Sequence, residues 1–324
     1  MYSIAQLQDL VNKQVAEKEY PAQPSELYEP IRYILGLGGK RMRPVLLLMA
    51  CDLFEGSVIS ALPPALGIEL FHNSTLMHDD IMDNAPLRRG KETVHSKWNP
   101  NVAILSGDVM LVESFRLLTH VPQAVLKKVT DVFTGTALGV CEGQQMDMNF
   151  ETSEGVTIAE YIEMIRLKTA VLLAGSLKIG ALIANAGDED ADNLYRFGES
   201  LGVAFQLQDD ILDVYGDPDK FGKQVGGDIL SNKKTYLLIK AMDIAEGLDE
   251  EELQYWLNAE ESDPAAKVRS ITDIYTRLGV RQLAEEEMNH YAEKALSFLA
   301  RVTAPDDKKQ LFKDFAEKLL VREN

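Results

Sequence analysis

The stretch of sequence that decides the fold is residues 68–90, IELFHNSTLMHDDIMDNAPLRRG. It holds no helix-breaking residue before Asn84, so it predicts a helix that ends near that position. A short basic loop that carries Arg88 and Arg89 follows the helix. The polar side chains on this helix indicate what the protein can bind.

One face of the predicted helix carries a histidine and two carboxylates. At about 100° of turn per residue, Asp79 and Asp83 lie within roughly 20° of His72, and Asp80 lies about a quarter-turn away. Carboxylates one turn apart repel each other by about a few tenths of a kcal/mol on a solvated helix, and by more where water is scarce. The pattern is therefore disfavoured unless a cation is bound.

Magnesium is the cation that suits this face, because it takes oxygen ligands, keeps part of its water and is usually held by one or two carboxylates plus substrate phosphates. The alternative is a solvated acidic face. With 51 acidic residues among 324, the motif alone favours neither interpretation.

A second acidic motif repeats the first. Residues 205–213 read FQLQDDILD and place Asp209, Asp210 and Asp213 on another apolar stretch, for which we predict a helix over residues 192–215. Two aspartate clusters on two helices can face each other across a bundle and hold a shared magnesium cluster. Such a cluster is a site for a diphosphate.

Composition narrows the class of protein. A hydrophobic content of 46% with 26% charged residues is typical of soluble globular proteins, and the net charge of −18 argues against non-specific nucleic-acid binding. The two cysteines cannot form a disulfide framework and suit a reducing cytoplasm. We see no signal peptide and no transmembrane span, and we expect a cytoplasmic protein.

Two basic stretches accompany the acidic motifs. Residues 38–44, GGKRMRP, place Lys40, Arg41 and Arg43 at the head of a predicted helix, where an anion can bind. A solvated helix end is the alternative. The glycine-rich loop at residues 215–238 carries several lysines and either closes over phosphates or is an ordinary surface connection.

The rest of the chain reads as helices. Gly135, Gly139 and Gly143 recur at spacing four and indicate close helix packing, and a break or kink is predicted at Lys168 and Thr169. No stretch alternates apolar and polar residues at period two, so we predict no β-sheet. We expect one all-α domain over residues 1–324, a multi-helix bundle with a central active-site cavity.

These motifs resemble those of the trans-type polyprenyl diphosphate synthases, which include farnesyl and geranylgeranyl diphosphate synthases. The resemblance runs from GGKRMRP through HDDIMDNAPLRRG and FQLQDDILD to the lysine-bearing loop. It implies the isoprenoid synthase fold, a homodimer and a Mg2+-assisted head-to-tail condensation. In that reaction isopentenyl diphosphate is added to an allylic diphosphate (dimethylallyl, geranyl or farnesyl), and pyrophosphate, the expected proton acceptor, is released.

The resemblance also implies roles for particular residues. The magnesium ligands are expected to be Asp79, Asp83, Asp209, Asp210 and Asp213, with Asp80 in support. The isopentenyl diphosphate pocket is matched by Lys40, Arg43, His72 and Arg89. Contacts to the allylic diphosphate are matched by Arg88, Lys223 and Lys233. The positions that line the reacting carbon chain and stabilise its cation are Lys168, Thr169 and Gln206.

Small residues occupy the positions at which bulky residues close the end of the hydrocarbon tunnel in the family. Ser74 and Thr75 leave room for a long tail, which favours a geranylgeranyl or longer product. Phe71 or Phe133 could stop the chain instead.

Three other classes of protein are alternatives to this family. A class I terpene cyclase shares the first motif but has no use for an isopentenyl pocket. A catalytically silent regulatory subunit of a heteromeric synthase would be expected to have lost acidic ligands. A di-iron bundle would require Glu-x-x-His pairs, and none stands in the right context.

Overall fold

A computed structural model describes residues 1–216, 226–259 and 263–320 and confirms the all-α prediction. The chain forms two compact units. The first unit consists of residues 1–134 and 175–194, and the second of residues 135–174 and 195 onward. No helix in the described ranges is both long and apolar enough to cross a bilayer.

The elements follow one another in this order. The first part of the chain contains α1 (Ile4–Glu17), α2 (Ser25–Gly36), α3 (Met42–Leu53), α4 (Val58–Met82), β1 (Leu87–Arg88), β2 (Lys91–Glu92), α5 (Val94–Lys97), α6 (Pro100–Leu118) and α7 (Gln123–Thr152). The rest contains α8 (Ile158–Ile165), a π-helical turn (Arg166–Ala170), α9 (Val171–Ile183), α10 (Asp188–Tyr215), α11 (Gly227–Leu230), α12 (Tyr236–Ile244), α13 (Leu248–Asn258), α14 (Pro264–Arg277), α15 (Val280–Arg301) and α16 (Asp306–Leu320).

Each unit is organised around buried apolar side chains. In the first unit α4 packs along α6 and against α3, and one core cluster includes Ile34, Leu70 and Met110. In the second unit α14 packs against α11, α12, α13 and α15, over a core that includes Leu207 and Tyr275. These cores hold the ends of the helices that carry the polar motifs.

The first acidic helix ends as predicted but begins earlier. α4 starts at Val58 and is capped by Asp83, and Asn84 follows in the left-handed region with φ 48°. The amide of Asn84 donates to the carbonyl of Ile81, and the amide of Ala85 donates to that of Asp80. This pair of bonds closes a helix with a left-handed residue and turns the chain back on itself.

A short hairpin corrects the prediction that no β-sheet is present. Strands β1 and β2 pair antiparallel, and Arg89 and Gly90 between them have φ values of 54° and 72°. Two central residues with positive φ suit the right-handed twist of a tight hairpin. With two residues in each strand, the hairpin is too short for alternation to reveal it.

The predicted break near Lys168 is the π-helical turn Arg166–Ala170, which confirms that prediction. Two glycines let neighbouring helices approach it. A Cβ built on Gly143 of α7 would lie 2.3 Å from the Lys168 backbone nitrogen, and one on Gly202 of α10 would lie 2.6 Å from the Ala170 Cα. The turn is therefore enclosed by backbone on two sides.

The packing prediction for the three spaced glycines holds only in part. A Cβ on Gly139 would contact Leu167 at 3.3 Å, so this position is tight, as is Gly143. Gly135 has nothing within 4 Å of the same point, so no neighbour requires a glycine there.

This contrast gives a matched test of the packing. We expect Gly143→Ala to lower the free energy of unfolding by about 1–3 kcal/mol, because the added methyl group has no room against the backbone of the π-helical turn. Gly135→Ala on the same helix should raise it by about 0.5–1 kcal/mol, because alanine loses less chain entropy. Urea unfolding measures both, and equal effects would contradict the close approach.

Candidate active site

Four residues predicted to bind an anion meet in the first unit. A cavity of about 220 Å³, here called the basic pocket, is lined by Lys40, Arg43, His72 and Arg89, together with Gly39, Arg41, Met42 and Glu69. The pocket joins the loop before α3 to the middle of α4 and the turn of the hairpin. The sequence prediction that these residues belong together agrees with this arrangement.

Glycine at position 39 makes room for an arginine of the pocket. Gly39 has φ 134°, and a Cβ on it would lie 2.7 Å from Nη2 of Arg89. The Arg89 guanidinium also donates a hydrogen bond to the carbonyl oxygen of Gly38. The guanidinium of Arg89 is therefore held against the backbone of Gly38 and Gly39.

Arg41 points inward and holds the pocket together. Its Nη1 donates to Oε1 of Glu69 at 2.6 Å, and its Nη2 donates to the carbonyl of Leu35 at 2.7 Å. Both members of the ion pair are buried, and Asn73 donates a further hydrogen bond of 2.9 Å to Glu69. A buried pair satisfied in this way fixes the loop on α4.

His72 is neutral at pH 7. Burial lowers its pKa well below the usual value, and the positive charges of Arg43 and Arg89 lower the pKa further. The Nη1 atom of Arg43 lies 3.3 Å from Nε2 of His72. Because a guanidinium only donates, Nε2 accepts and the ring proton sits on Nδ1. Burial also lowers the pKa of Arg43. The nearby carboxylate of Glu69 partly opposes this effect, and the resulting pKa is about 10.

Asp80 anchors Arg88. The Nε of Arg88 lies 2.9 and 2.8 Å from the two carboxylate oxygens of Asp80, and its Nη2 lies 2.7 Å from Oδ1. Asp80 is only 2% exposed, so this contact is nearly dry. The same Nη2 lies 3.7 Å from Oδ2 of Asp79. Asp83 is exposed at the end of the helix. Asp80 thus orients a neighbouring arginine, and the supporting role predicted for it in the metal site stays a prediction.

Most of the remaining predicted residues meet in the second unit. A cavity of about 180 Å³, here called the acidic pocket, is lined by Asp147, Tyr161, Met164, Ile165, Lys168, Thr169, Gln206, Asp209, Asp210, Asp213, Asp228, Lys233 and Thr235. Lys223, also predicted to contact the allylic diphosphate, lies outside the described residues.

A chain of hydrogen bonds holds Asp210. The Tyr161 hydroxyl donates to its Oδ2, and Gln206 Nε2 donates to its Oδ1 at 3.2 Å. Thr169 donates in turn to Oε1 of Gln206 at 3.1 Å. Burial raises the pKa of Asp210 to about 7, and the charge of Asp228 adds to this, while the hydrogen bonds from Tyr161 and Gln206 oppose it. Burial and the neighbouring carboxylate of Asp228 therefore both disfavour the charged form of Asp210.

Asp213 ties the end of α10 to the segment that follows. Its Oδ2 accepts from the backbone N–H of Asp228 at 3.0 Å, and its backbone carbonyl accepts from the N–H of Gly226 at 2.7 Å. The same contact brings the Asp228 side chain to the wall of the acidic pocket.

Sequence reasoning missed three ionisable residues of this pocket: Asp147, Tyr161 and Asp228. Asp147 stands one helical turn after Gly143, and this spacing places it beside the π-helical turn once the glycine contact is known. Its Oδ2 lies 2.5 Å from Nζ of Lys168 and 3.9 Å from Nζ of Lys233. No signal in the sequence distinguishes Tyr161 from other apolar positions of α8.

The donors of the acidic pocket fit a divalent cation that prefers oxygen. Five of the eleven polar side chains that line it are carboxylates. Burial raises the pKa of Asp210, and a bound cation would stabilise the ionised form of this group. Within residues 1–216, 226–259 and 263–320, no three histidine, cysteine or acidic side chains are close enough to hold a metal by themselves. Magnesium commonly takes only one or two carboxylates, with water and substrate oxygens completing its shell. That the two aspartate motifs hold one shared cluster stays a prediction.

Comparison with known proteins identifies the family. The model of the polyprenyl synthetase family matches residues 24–275. The chain is 44% identical to a geranylgeranyl diphosphate synthase of Methanosarcina mazei over 229 residues, which cover 70% of each chain. It is 34% identical to a geranylfarnesyl diphosphate synthase of Natronomonas pharaonis, which covers 99% of this chain and 97% of that one.

A solved structure agrees over the whole length. A crystal structure of a geranylgeranyl pyrophosphate synthase matches with a TM-score of 0.95 and 39% identity and covers 100% of both chains. This likeness confirms that the all-α fold is of the isoprenoid synthase type. The chain therefore belongs to the polyprenyl synthetase family and is a prenyltransferase, a prenyl diphosphate synthase.

Proposed function

We propose that this enzyme condenses isopentenyl diphosphate with an allylic diphosphate and makes geranylgeranyl diphosphate or a longer trans-polyprenyl diphosphate. One observation carries the proposal: the residues of the matching motifs build a cationic pocket in one unit and a carboxylate pocket in the other. The geranylgeranyl and geranylfarnesyl diphosphate synthases among its relatives support the product length.

The basic pocket is proposed to bind the diphosphate of isopentenyl diphosphate. Lys40, Arg43 and Arg89 supply positive charge, and planar guanidinium groups match phosphate oxygens well. His72 is neutral before binding, so it adds hydrogen-bonding capacity without adding to the repulsion among the cations. Arg41 is excluded from this role, because its guanidinium is held by Glu69.

The carboxylates are proposed to hold Mg2+ with the allylic diphosphate. The ligands would be Asp79, Asp83, Asp209, Asp210 and Asp213, and Arg88, Lys223 and Lys233 would contact the diphosphate. Bound magnesium would neutralise charge on the leaving diphosphate as the allylic carbon–oxygen bond breaks.

The π-helical turn is proposed to face the reacting carbon chain. Breaking the bond leaves a cation on carbon, and fixed dipoles aimed at developing charge lower such a barrier. Thr169 and Gln206 are held in one orientation by their hydrogen-bonded chain to Asp210, so their dipoles need little reorganisation. We assign no general base to the protein, and the released pyrophosphate is the expected proton acceptor.

A homodimer is part of this proposal. α6 exposes apolar side chains at helical spacing, with Leu105 57% and Val112 67% exposed and Ile104 and Phe115 beside them. An unpartnered apolar face of this kind is typical of an interface between subunits. The single domain and the cytoplasmic location expected from the sequence stay predictions.

The proposal is tested with purified protein, Mg2+, labelled isopentenyl diphosphate and each of dimethylallyl, geranyl and farnesyl diphosphate. We expect linear diphosphates of twenty carbons or more. Asp209→Asn should lower the rate by about a hundredfold or more, because it removes negative charge from the proposed metal site. Asp192→Asn, at an exposed carboxylate paired with Lys178, is the control. Cyclic hydrocarbons, or no product from any primer, would contradict the proposal.

Product length should depend on Ser74. This residue is buried on α4, and its hydroxyl donates to the carbonyl of Phe71 at 2.7 Å. We expect Ser74→Phe to shorten the main product, because the ring fills space left for the hydrocarbon tail. Chain-length analysis of the products measures this. Thermal unfolding checks that the variant folds, and a folded variant with unchanged products would refute the tunnel assignment.

A cluster of aromatic side chains around Phe133 allows a test in which the product is expected to become longer. Phe133 is buried and packs edge-to-face against Phe71 and Phe115, with ring centroids 5.2 and 4.9 Å away. If this layer stops the tail, Phe133→Ala should lengthen the product of the same assay.

Proton uptake by His72 should favour the binding of isopentenyl diphosphate as the pH falls from 8 to 6. The pKa of free His72 is depressed, and a bound diphosphate adds negative charge that raises it, so binding takes up a proton. Titration of the ligand itself contributes in the opposite direction, because a cationic pocket binds the fully ionised diphosphate best. The difference between the wild type and His72→Gln isolates the contribution of His72. Calorimetric dissociation constants measure it, and identical pH profiles would show that His72 takes up no proton.

A further inference from the structure

Asp147 pairs with both lysines that line the acidic pocket. Its Oδ2 lies 2.5 Å from Nζ of Lys168 and 3.9 Å from Nζ of Lys233, and its side chain is 16% exposed. Neither the family resemblance nor the sequence analysis assigned this carboxylate a role. The proposed function places Lys233 at the allylic diphosphate and Lys168 beside the reacting carbon chain. Because the reacting carbon carries the diphosphate, an ammonium group beside that carbon is also near the phosphate oxygens.

The pairing is built into the backbone. Asp147 follows Gly143 by one turn of α7, and the backbone of α7 at Gly143 touches that of Lys168 so closely that a Cβ would lie 2.3 Å from its nitrogen. The backbone of Asp147 is therefore held beside that of Lys168. The aspartate side chain is short, so the long lysine side chains have the greater freedom to change partner.

Asp147 is ionised at neutral pH. Burial raises the pKa of this carboxyl group, but the charges of Lys233 and Lys168 and the hydrogen bond from Lys168 more than offset that, and the pKa is lowered. The carboxylate therefore offers the lysines a full negative charge when no diphosphate is bound.

We propose that Asp147 is a positioning residue that holds Lys168 and Lys233 between turnovers and competes with diphosphate for them, so that pyrophosphate is released. This inference rests on the proposed function of the acidic pocket. A diphosphate must draw the ammonium groups away from the Asp147 carboxylate when it binds, and the lysines return to Asp147 when the diphosphate leaves. This competition offsets part of the attraction between the lysines and the phosphate groups. Pyrophosphate is therefore bound more weakly.

The proposal predicts an effect opposite in sign to that of a structural contact. Loss of a purely structural ion pair would misplace the lysines and weaken pyrophosphate binding. Loss of a competing charge lowers the free-energy cost of drawing the lysines to the ligand and strengthens pyrophosphate binding. Asparagine keeps the size of the side chain and an oxygen that can accept from Lys168, so Asp147→Asn removes mainly the charge.

The test measures the dissociation constant of pyrophosphate with Mg2+ by calorimetry. We expect Asp147→Asn to bind on the order of tenfold more tightly, the size of effect expected for a charge-assisted hydrogen bond. The KM for the allylic diphosphate should fall, and kcat should not rise. Asp147→Glu keeps the charge and should stay near the wild type.

The control is Asp192→Asn, which removes the charge from a similar lysine pair outside the acidic pocket, where Lys178 Nζ lies 2.5 Å from Asp192. It should leave the dissociation constant unchanged. An unchanged or weaker affinity in Asp147→Asn would overturn the inference.

The binding comparison needs no turnover, so its result is independent of the synthase assay. If the wild type makes no prenyl diphosphate, the proposed function fails while the affinities still decide the role of Asp147.

Discussion

Charges of one sign held close together are the constraint on which both pockets depend. Arginines and lysine converge in the first unit, and carboxylates in the second. Such clusters suit ligands of the opposite charge, but the chain must fold without those ligands. Each pocket therefore contains a counter-ion of its own. Glu69 serves the basic pocket, and Lys168 with Lys233 serves the acidic one.

These internal pairs are of two kinds. The pair of Arg41 and Glu69 is buried on both sides and further hydrogen-bonded, so removing either partner would leave an uncompensated charge in a dry place. The pair of Lys168 and Asp147 borders a cavity and joins a long flexible side chain to a short one. The first kind stabilises the loop that shapes a pocket, and the second can exchange a partner for a ligand.

The sequence predicted the helical class and most of the polar residues of both pockets, because spacing along a helix determines which side chains share a face. His72 and the first acidic motif could be placed on one helix in this way. The π-helical turn at Lys168 was also foreseen as a break. The hairpin that carries Arg88 and Arg89 could not be recognised, because its strands are shorter than any periodic pattern.

Contacts between distant parts of the chain were the other source of error. Asp147 and Tyr161 look like ordinary helical residues, and only the close approach of α7 and α8 to the residues around them shows their part in the pocket. Arg41 shows the converse, because its place in a basic motif suggests a ligand contact while its guanidinium is held by Glu69. Spacing along one helix cannot distinguish an arginine that faces a pocket from one that supports it.

Because the chain has a net charge of −18, an anionic ligand can bind only where positive charge is concentrated locally, as in the basic pocket. A polyanionic substrate that approaches such a protein meets a repulsive field at long range, but salt at physiological concentration screens exposed charges beyond about 8 Å. Inside a pocket the ligand feels chiefly the groups that touch it, because screening is weak there and the dielectric constant is low. A few arginines held by glycine turns and a buried carboxylate can therefore outweigh the charge of the whole surface, and acidity of the chain as a whole says little about which anions it binds.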